Sequence, residues 1–173
     1  MKKMLICLFI AGAMIFVGSS AAMAYRAGEM ELTLGGIGSS DESLDGTDLN
    51  VGGSLGYFLT DALSVALRQD VYYTDLPKSD AFSGVSRLAM DYHFEVNEFL
   101  YPFIGANIGY MYGDIFRDQW IAGPEIGLKY FANETTFIYG LIEYSFTFKS
   151  SDDIEDNFDD GRFGYSLGIG FKF

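Results

Sequence analysis

The sequence predicts an all-β protein: an eight-stranded, antiparallel, up-and-down transmembrane β-barrel. Three observations predict this fold. The last twelve residues alternate between large apolar and small or polar side chains, seven earlier segments have similar strand character, and the chain begins with an export signal. Since successive side chains of a strand point to opposite sides, each segment would have one apolar face and one polar face.

The C-terminal segment 162–173 shows this alternation without a break. Its apolar face is Phe163, Tyr165, Leu167, Ile169, Phe171 and Phe173, and its other face is Arg162, Gly164, Ser166, Gly168, Gly170 and Lys172. Alternation alone fits a soluble barrel with the apolar face inward or a membrane barrel with that face outward. The aromatic chain end, the narrow Gly and Ser face and the export signal favour the membrane barrel.

Residues 1–24 have the pattern of a cleaved secretory signal peptide. Lys2 and Lys3 supply the positive start, residues 4–17 are apolar, and Ala22-Met23-Ala24 is a small-x-small cleavage site. The apolar stretch is short for a retained membrane helix. We therefore expect cleavage after Ala24.

The remaining residues, 25–173, are one domain by length, and we expect them to form the barrel. The only cysteine, Cys7, lies in the signal, so the mature chain has no disulfide. The net charge of −13 argues against nucleic acid as a partner. Because the mature part has no apolar run of helical spanning length, it would have to cross a membrane as a closed barrel.

Eight segments are long enough to cross a bilayer as tilted strands. They are predicted at 28–38, 47–58, 63–74, 82–94, 100–113, 118–131, 135–149 and 162–173. Short turns follow the second, fourth and sixth strands, and longer polar loops follow the others, including 75–81. This alternation predicts that both chain ends and the short turns lie on the periplasmic side. Pro124 departs from the pattern and predicts a bulge or an error in the assigned register.

The two faces of the predicted strands differ in charge. The apolar face of all eight strands carries no charged residue, as a lipid-facing surface requires, since Lys or Arg at mid-bilayer costs about 2–4 kcal/mol. The opposite face carries the candidate lumen ion-pair network: Glu29, Glu31, Arg68, Asp70, Arg87, Asp91, His93, Glu125, Lys129, Glu143 and Lys172. Mixed signs in a narrow interior predict compensating ion pairs, because unpaired buried charge is costly. The interior of eight strands is just filled by side chains, so we expect a plugged lumen rather than an open pore.

His93 is the only histidine and the one candidate catalytic base. It lies on the same predicted face as Asp91, at the periplasmic end of the fourth strand, and no serine is evidently poised as a nucleophile. A role in lumen hydrogen bonding is the alternative. The pattern favours that role, and we expect no enzymatic activity, no cofactor and no metal centre.

Two loops, 41–48 and 152–160, are strongly acidic and flank strands that become neighbours when the barrel closes. Oxygen-rich loops can bind calcium or bridge through divalent ions to lipopolysaccharide phosphates. Neither loop has the EF-hand pattern. The alternative is a pair of solvated loops kept apart by repulsion.

The mature chain resembles the OmpA/OmpX-like family of eight-stranded outer-membrane barrels. The resemblance rests on the strand-turn-strand stretch 56–64, the Gly-rich stretch 101–110 and the C-terminal strand. It implies that the assembly signal read by the barrel-assembly machinery is Tyr165, Leu167, Ile169, Phe171 and Phe173. It also implies a monomer in the bacterial outer membrane, in contact with lipid and lipopolysaccharide, with a structural or surface-interaction role. A small passive channel and a lipid A-modifying enzyme are the alternatives.

Overall fold

The computed structural model describes residues 25–40, 47–76, 79–115, 118–148 and 161–173. The predicted signal peptide, residues 1–24, lies outside the described residues. So do residues 41–46 and 152–160 of the two acidic loops.

Eight antiparallel strands form a closed barrel in chain order, β1 to β8. They are β1 (Met30–Ser40), β2 (Thr47–Phe58), β3 (Leu63–Leu76), β4 (Ser79–His93), β5 (Leu100–Gly113), β6 (Gln119–Phe131), β7 (Thr136–Phe148) and β8 (Arg162–Lys172). This architecture confirms the predicted fold class. The described part of the chain contains no helix long and apolar enough to cross a bilayer.

Most strand ends lie within two residues of their predicted positions, but the loop predicted at 75–81 is wrong. There β3 continues to Leu76 and β4 begins at Ser79, with Asp75 paired to Asp80 and Leu76 paired to Ser79. Pro77 and the polar residues around it predicted a loop from local preference. Pairing with a neighbouring strand outweighs such preferences, since strand propensity depends strongly on context.

Pro124 produces neither a bulge nor a shift of register, contrary to the expectation from sequence. It pairs with Ala106 of β5. On the other side the β6–β7 ladder stops after Ala122–Phe146 and resumes at Glu125–Glu143 in the same register. The proline, which has no N–H to donate, therefore lies in a two-residue interruption of that ladder.

The large apolar side chains of the strands point away from the barrel, and the charged ones point into it. Leu88 is 57% exposed, whereas its chain neighbours Arg87 and Ala89 are 8% and 1% exposed, and Glu125 is 4% exposed. A water-soluble barrel has the reverse arrangement. This outer surface instead suits lipid hydrocarbon.

The chain closes on itself through β1 and β8. The backbones of Met30 and Phe173 exchange two hydrogen bonds, of 2.8 and 2.9 Å. The four-residue turns 59–62 and 132–135 and the connection 94–99 lie at this same end of the barrel. We call it the closed end, because aromatic side chains fill it.

Candidate functional site in the barrel lumen

Arg68 of β3 forms the first cluster of charges inside the barrel. Its guanidinium group donates two hydrogen bonds to Glu125 of β6, of 2.9 and 2.6 Å, and one of 2.7 Å to Asp91 of β4. The planar donor fork of arginine matches a carboxylate in this bidentate way. One cation thus holds two carboxylates from different strands.

Arg87 of β4 forms the second cluster. It donates to Asp70 of β3 at 2.5 Å and to Glu143 of β7 at 2.8 Å. The amide of Asn107 donates to Glu125 at 2.5 Å and more weakly to Glu143 at 3.4 Å. Asn107 therefore links the second cluster to the carboxylate of the first.

Lys129 of β6 forms the third cluster, nearer the closed end. Its ammonium group lies 2.7 Å from both carboxylate oxygens of Glu31 and 2.9 Å from Nε2 of His93. Nδ1 of His93 lies 3.3 Å from the carbonyl oxygen of Ala62. Since the carbonyl can only accept, Nδ1 carries the proton and Nε2 accepts from Lys129. Both ring nitrogens are engaged, so His93 is not placed as a general base.

Aromatic rings surround the Lys129 ammonium group. The nitrogen lies 5.1 Å from the ring centre of Tyr25, 5.7 Å from Phe58, 5.4 Å from Phe103 and 5.2 Å from Phe137. These distances are in the range of cation–π attraction. The cation is therefore held by a carboxylate on one side and by rings on the others.

A buried aromatic plug fills the closed end. Its members come from the segment before β1 and from strand ends beside the short turns: Tyr25, Phe58, Tyr101, Phe131 and Phe137. The rings of Tyr25 and Phe58 stack with centres 3.9 Å apart, and the Tyr25 hydroxyl donates to Glu31 at 2.9 Å. Burial and the Glu31 carboxylate raise the pKa of Tyr25 well above its ordinary value, so the hydroxyl remains a donor.

Glu29 and Lys172 lie at the rim of the closed end. Glu29 comes one residue before β1 rather than within the predicted first strand. Its carboxylate lies 3.5 Å from the Lys172 ammonium group, which also lies 5.9 Å from the ring centre of Tyr25. This pair adds polar contacts around the plug.

A cavity of about 450 Å³ occupies the lumen, and the ion pairs form part of its wall. Its polar lining includes Asp70, Tyr72, Arg87 and Glu143. Within the described ranges, no group of three or more His, Cys, Asp or Glu side chains is arranged to hold a metal ion.

The structure brings all eleven sequence-predicted lumen residues into polar contacts. They form three clusters and the rim pair, and Asn107 joins the first two clusters. The sequence reasoning missed Tyr25, Asn107 and the plug. The sequence did contain a signal for the plug. Three aromatic residues next to the short turns, Phe58, Phe131 and Phe137, occupy strand positions whose side chains point into the barrel by alternation.

Several solved bacterial barrel structures are similar to this chain in fold. The N-terminal β-barrel domain of Pseudomonas aeruginosa OprF is 21% identical, with a TM-score of 0.61, covering 86% of this chain and 99% of that one. The outer membrane protein OprG of the same organism is 15% identical, with a TM-score of 0.62, covering 88% and 99%. Ail, the attachment invasion locus protein of Yersinia pestis, in complex with the heparin analogue sucrose octasulfate, is 20% identical, with a TM-score of 0.50, covering 86% and 100%.

No protein-family model and no curated protein matches the sequence. At these identities the likeness concerns the fold, and it spans nearly the whole of each solved chain. The chain has the eight-stranded β-barrel fold of OmpA/OmpX-like outer-membrane proteins.

Proposed function

We propose that this chain is an integral protein of the bacterial outer membrane, that its lumen does not conduct, and that it has a structural or surface-interaction role without catalysis. The observation that carries the proposal is the combination of an uncharged apolar outer wall with an ion-paired interior. A barrel pairs most of its strand backbone groups with one another within the bilayer, and the apolar wall replaces a soluble protein's polar surface.

The aromatic plug and the Lys129 cluster support a lumen closed to ions. Tyr25 and Phe137 are 1% and 0% exposed, and Lys129 is 4% exposed. A permeating ion would have to displace these packed side chains and separate Lys129 from Glu31. The small passive channel is therefore the less favoured function.

Planar bilayer recording tests the closed lumen. The refolded wild-type barrel should give no sustained single-channel current. A variant with Tyr25→Ala and Phe58→Ala removes the stacked pair of the plug and serves as the open comparison, with current expected only there. Sustained current from the wild type would overturn the proposal in favour of the channel.

The outward position of the C-terminal residues supports a role in assembly. Tyr165, Leu167, Ile169, Phe171 and Phe173 all lie on the exposed face of the last strand. There the barrel-assembly machinery can reach them. We infer that the folded protein contacts outer-membrane lipid and lipopolysaccharide as a monomer.

The acidic loops 41–48 and 152–160 are the proposed site of surface interaction. The solved Ail complex contains a polyanionic heparin analogue. This chain carries a net charge of −13, which opposes a polyanion and favours partners that are cationic or reached through divalent ions. Calorimetric titration with calcium tests this directly. The wild type should bind calcium, and a variant with the loop carboxylates replaced by amides should not. Absence of calcium binding by the wild type would overturn the proposed site.

The contacts of His93 support a role without catalysis, because both of its ring nitrogens are already engaged. Incubation of the refolded barrel with lipopolysaccharide should release no acyl chains. Release of acyl chains would overturn this part of the proposal.

A further inference from the structure

The seam between β1 and β8 is paired over only part of its length. The ladder runs from Glu31–Lys172 to Gly35–Gly168. Both strands continue: β1 pairs with β2 as far as Ser40, and β8 pairs with β7 back to Arg162. Among the described residues, 36–40 of β1 and 163–167 of β8 thus have a ladder on one side only. We call this stretch the seam gap.

The seam gap lies within the apolar outer wall. Tyr165 and Leu167 of β8 are each 75% exposed, the highest values among the large apolar side chains of the described residues. Across the gap, Val51 of β2 is 48% exposed and pairs with Gly36. Apolar side chains that face lipid therefore flank the gap on both sides.

Unpaired backbone edges at this height need polar partners. In hydrocarbon each backbone N–H or C=O without a hydrogen bond is costly, which is why membrane barrels close completely. Apolar lipid chains alone cannot satisfy the two edges. A molecule seated in the gap must bring hydrogen-bonding atoms with it.

The lumen cavity reaches this gap. Its lining includes Gly35 and Gly36 of β1 and Gly164, Ser166 and Leu167 of β8, together with the charged groups of the interior. Small residues on both edges leave the space between them open. The cavity therefore has a side opening where β1 and β8 are unpaired.

Glu31 and Lys129, whose cluster adjoins the aromatic plug, also line the same cavity. On its wall Asp70 and Arg87 offer an acceptor and a donor, with Asp70 23% exposed at its side chain. The cavity is thus a polar pocket with an apolar rim rather than a path through the barrel. Its volume of about 450 Å³ is in the range of small-ligand pockets.

We propose that the seam gap and the cavity form a lateral binding site for a single-chain amphiphile of the membrane. The polar head lies in the cavity and hydrogen-bonds the unpaired edges, and the alkyl chain leaves between β1 and β8 along Tyr165 and Leu167. This inference rests on the proposed membrane location of the barrel. It adds a ligand site to a lumen that does not conduct.

Paired cysteines test the gap itself in detergent, independently of where the protein resides in the cell. The variant Gly36→Cys with Leu167→Cys places thiols at facing positions across the gap. The control, Leu34→Cys with Ile169→Cys, places them across the paired part of the same seam. Both pairs face outward and have the same type of position in the ladder, because they are separated by an even number of residues.

The control pair should oxidise to a disulfide, and the gap pair should resist oxidation but react with a longer bis-maleimide. Unboiled gel mobility identifies folded barrels in each sample. Equal disulfide formation by both pairs in folded barrels would show that the seam is closed and would overturn the proposal.

Photolabelling of the wild type tests the ligand. A lysophosphatidylcholine with a diazirine on the acyl carbons next to its polar head is added to the refolded barrel, and adducts are located by mass spectrometry. Entry through the gap predicts adducts on the inward residues Tyr139 and Leu141 as well as on outward residues such as Leu88. Adducts on outward residues alone would overturn the proposal.

The gap pair bridged by the same bis-maleimide is the matched comparison. Adducts on Tyr139 and Leu141 should then disappear while those on Leu88 remain. Inward adducts that survive the bridge would mean that the amphiphile enters through the open end of the barrel, which contradicts lateral binding. Failure of this test leaves the outer-membrane proposal intact, since that proposal depends on cell fractionation.

Discussion

The ammonium nitrogen of Lys129 lies 2.7 Å from each carboxylate oxygen of Glu31, although the two residues are 98 positions apart in the chain. Lys129 is on β6 and Glu31 is on β1, so the pair joins separate parts of the barrel wall through the interior. The Tyr25 hydroxyl donates to the same carboxylate. This contact connects the charged lumen to the aromatic plug.

Lys129→Met should destabilise the barrel strongly, because it leaves the Glu31 carboxylate buried without its cation. Removing one partner of a buried ion pair typically costs about 3–5 kcal/mol. Urea unfolding of the barrel in phospholipid vesicles, followed by the fluorescence of the single tryptophan, Trp120, measures the change. Adding Glu31→Gln to this variant should recover part of the loss. An unchanged free energy of unfolding for Lys129→Met would contradict the role of the pair.

Arg68→Lys tests the geometry of the first cluster with the charge conserved. Lysine cannot reproduce the two parallel hydrogen bonds to Glu125 together with the third to Asp91. Loss of one charged hydrogen bond predicts a decrease of about 1.5–3 kcal/mol in the free energy of unfolding. Arg26→Lys, at an exposed position outside the strands, is the control and should have no measurable effect. Equal stability of the two variants would show that only charge matters at residue 68.

Tyr25→Ala should open a cavity in the aromatic plug. Truncating a large buried aromatic side chain typically costs about 3–5 kcal/mol. Tyr25→Phe keeps the stacking on Phe58 and removes only the hydrogen bond to Glu31, so its effect should be clearly smaller. Urea unfolding of the two variants side by side separates packing from hydrogen bonding. If Tyr25→Phe were as damaging as Tyr25→Ala, the hydroxyl rather than the ring would hold the plug.

Gly105→Ala should destabilise the barrel because an added methyl group would overlap Asp91 and the Met90 carbonyl. Overpacking of a well-packed interior typically costs about 1–3 kcal/mol. Gly140→Ala is the matched control, since a methyl group there meets no atom within 4 Å. The difference between the two thermal unfolding midpoints measures the crowding of the lumen. Equal midpoints would indicate a lumen looser than the structure implies.

Leu167→Arg tests the direction of the outer face. An arginine that faces lipid near mid-bilayer costs about 2–4 kcal/mol, so the variant should fail to assemble in the outer membrane. Ser166→Arg, one residue away on the lumen side, is the control and should assemble. Normal assembly of Leu167→Arg would mean that this face does not meet lipid.

Alternation in the sequence predicted the strands and their faces because a two-residue period is a fixed property of the extended chain. It did not identify the ion-pair partners. Arg68 and Glu125 are 57 residues apart, and their meeting depends on where each strand stands in the barrel. The position of Tyr25 in the plug could not be predicted from alternation either, because that residue precedes the first strand.

The two wrong predictions and the failure to predict the seam gap have the same physical cause. The loop predicted at 75–81 and the bulge predicted at Pro124 both came from local residue preferences, which backbone pairing with a neighbouring strand overrode. The seam gap left no pattern to read, since alternation continues through Leu167 and Tyr165 whether or not the backbone is paired. Side chains specify the faces of a strand, whereas its partners are a property of the whole barrel.

Cell fractionation combined with heat-modifiable gel mobility tests the central claim most directly. The envelope is solubilised, and boiled and unboiled samples are compared on a denaturing gel. A closed membrane barrel predicts a species in the outer-membrane fraction whose mobility changes on boiling. A soluble periplasmic protein with unchanged mobility would contradict the claim, because the apolar face would then have to be the interior of the barrel.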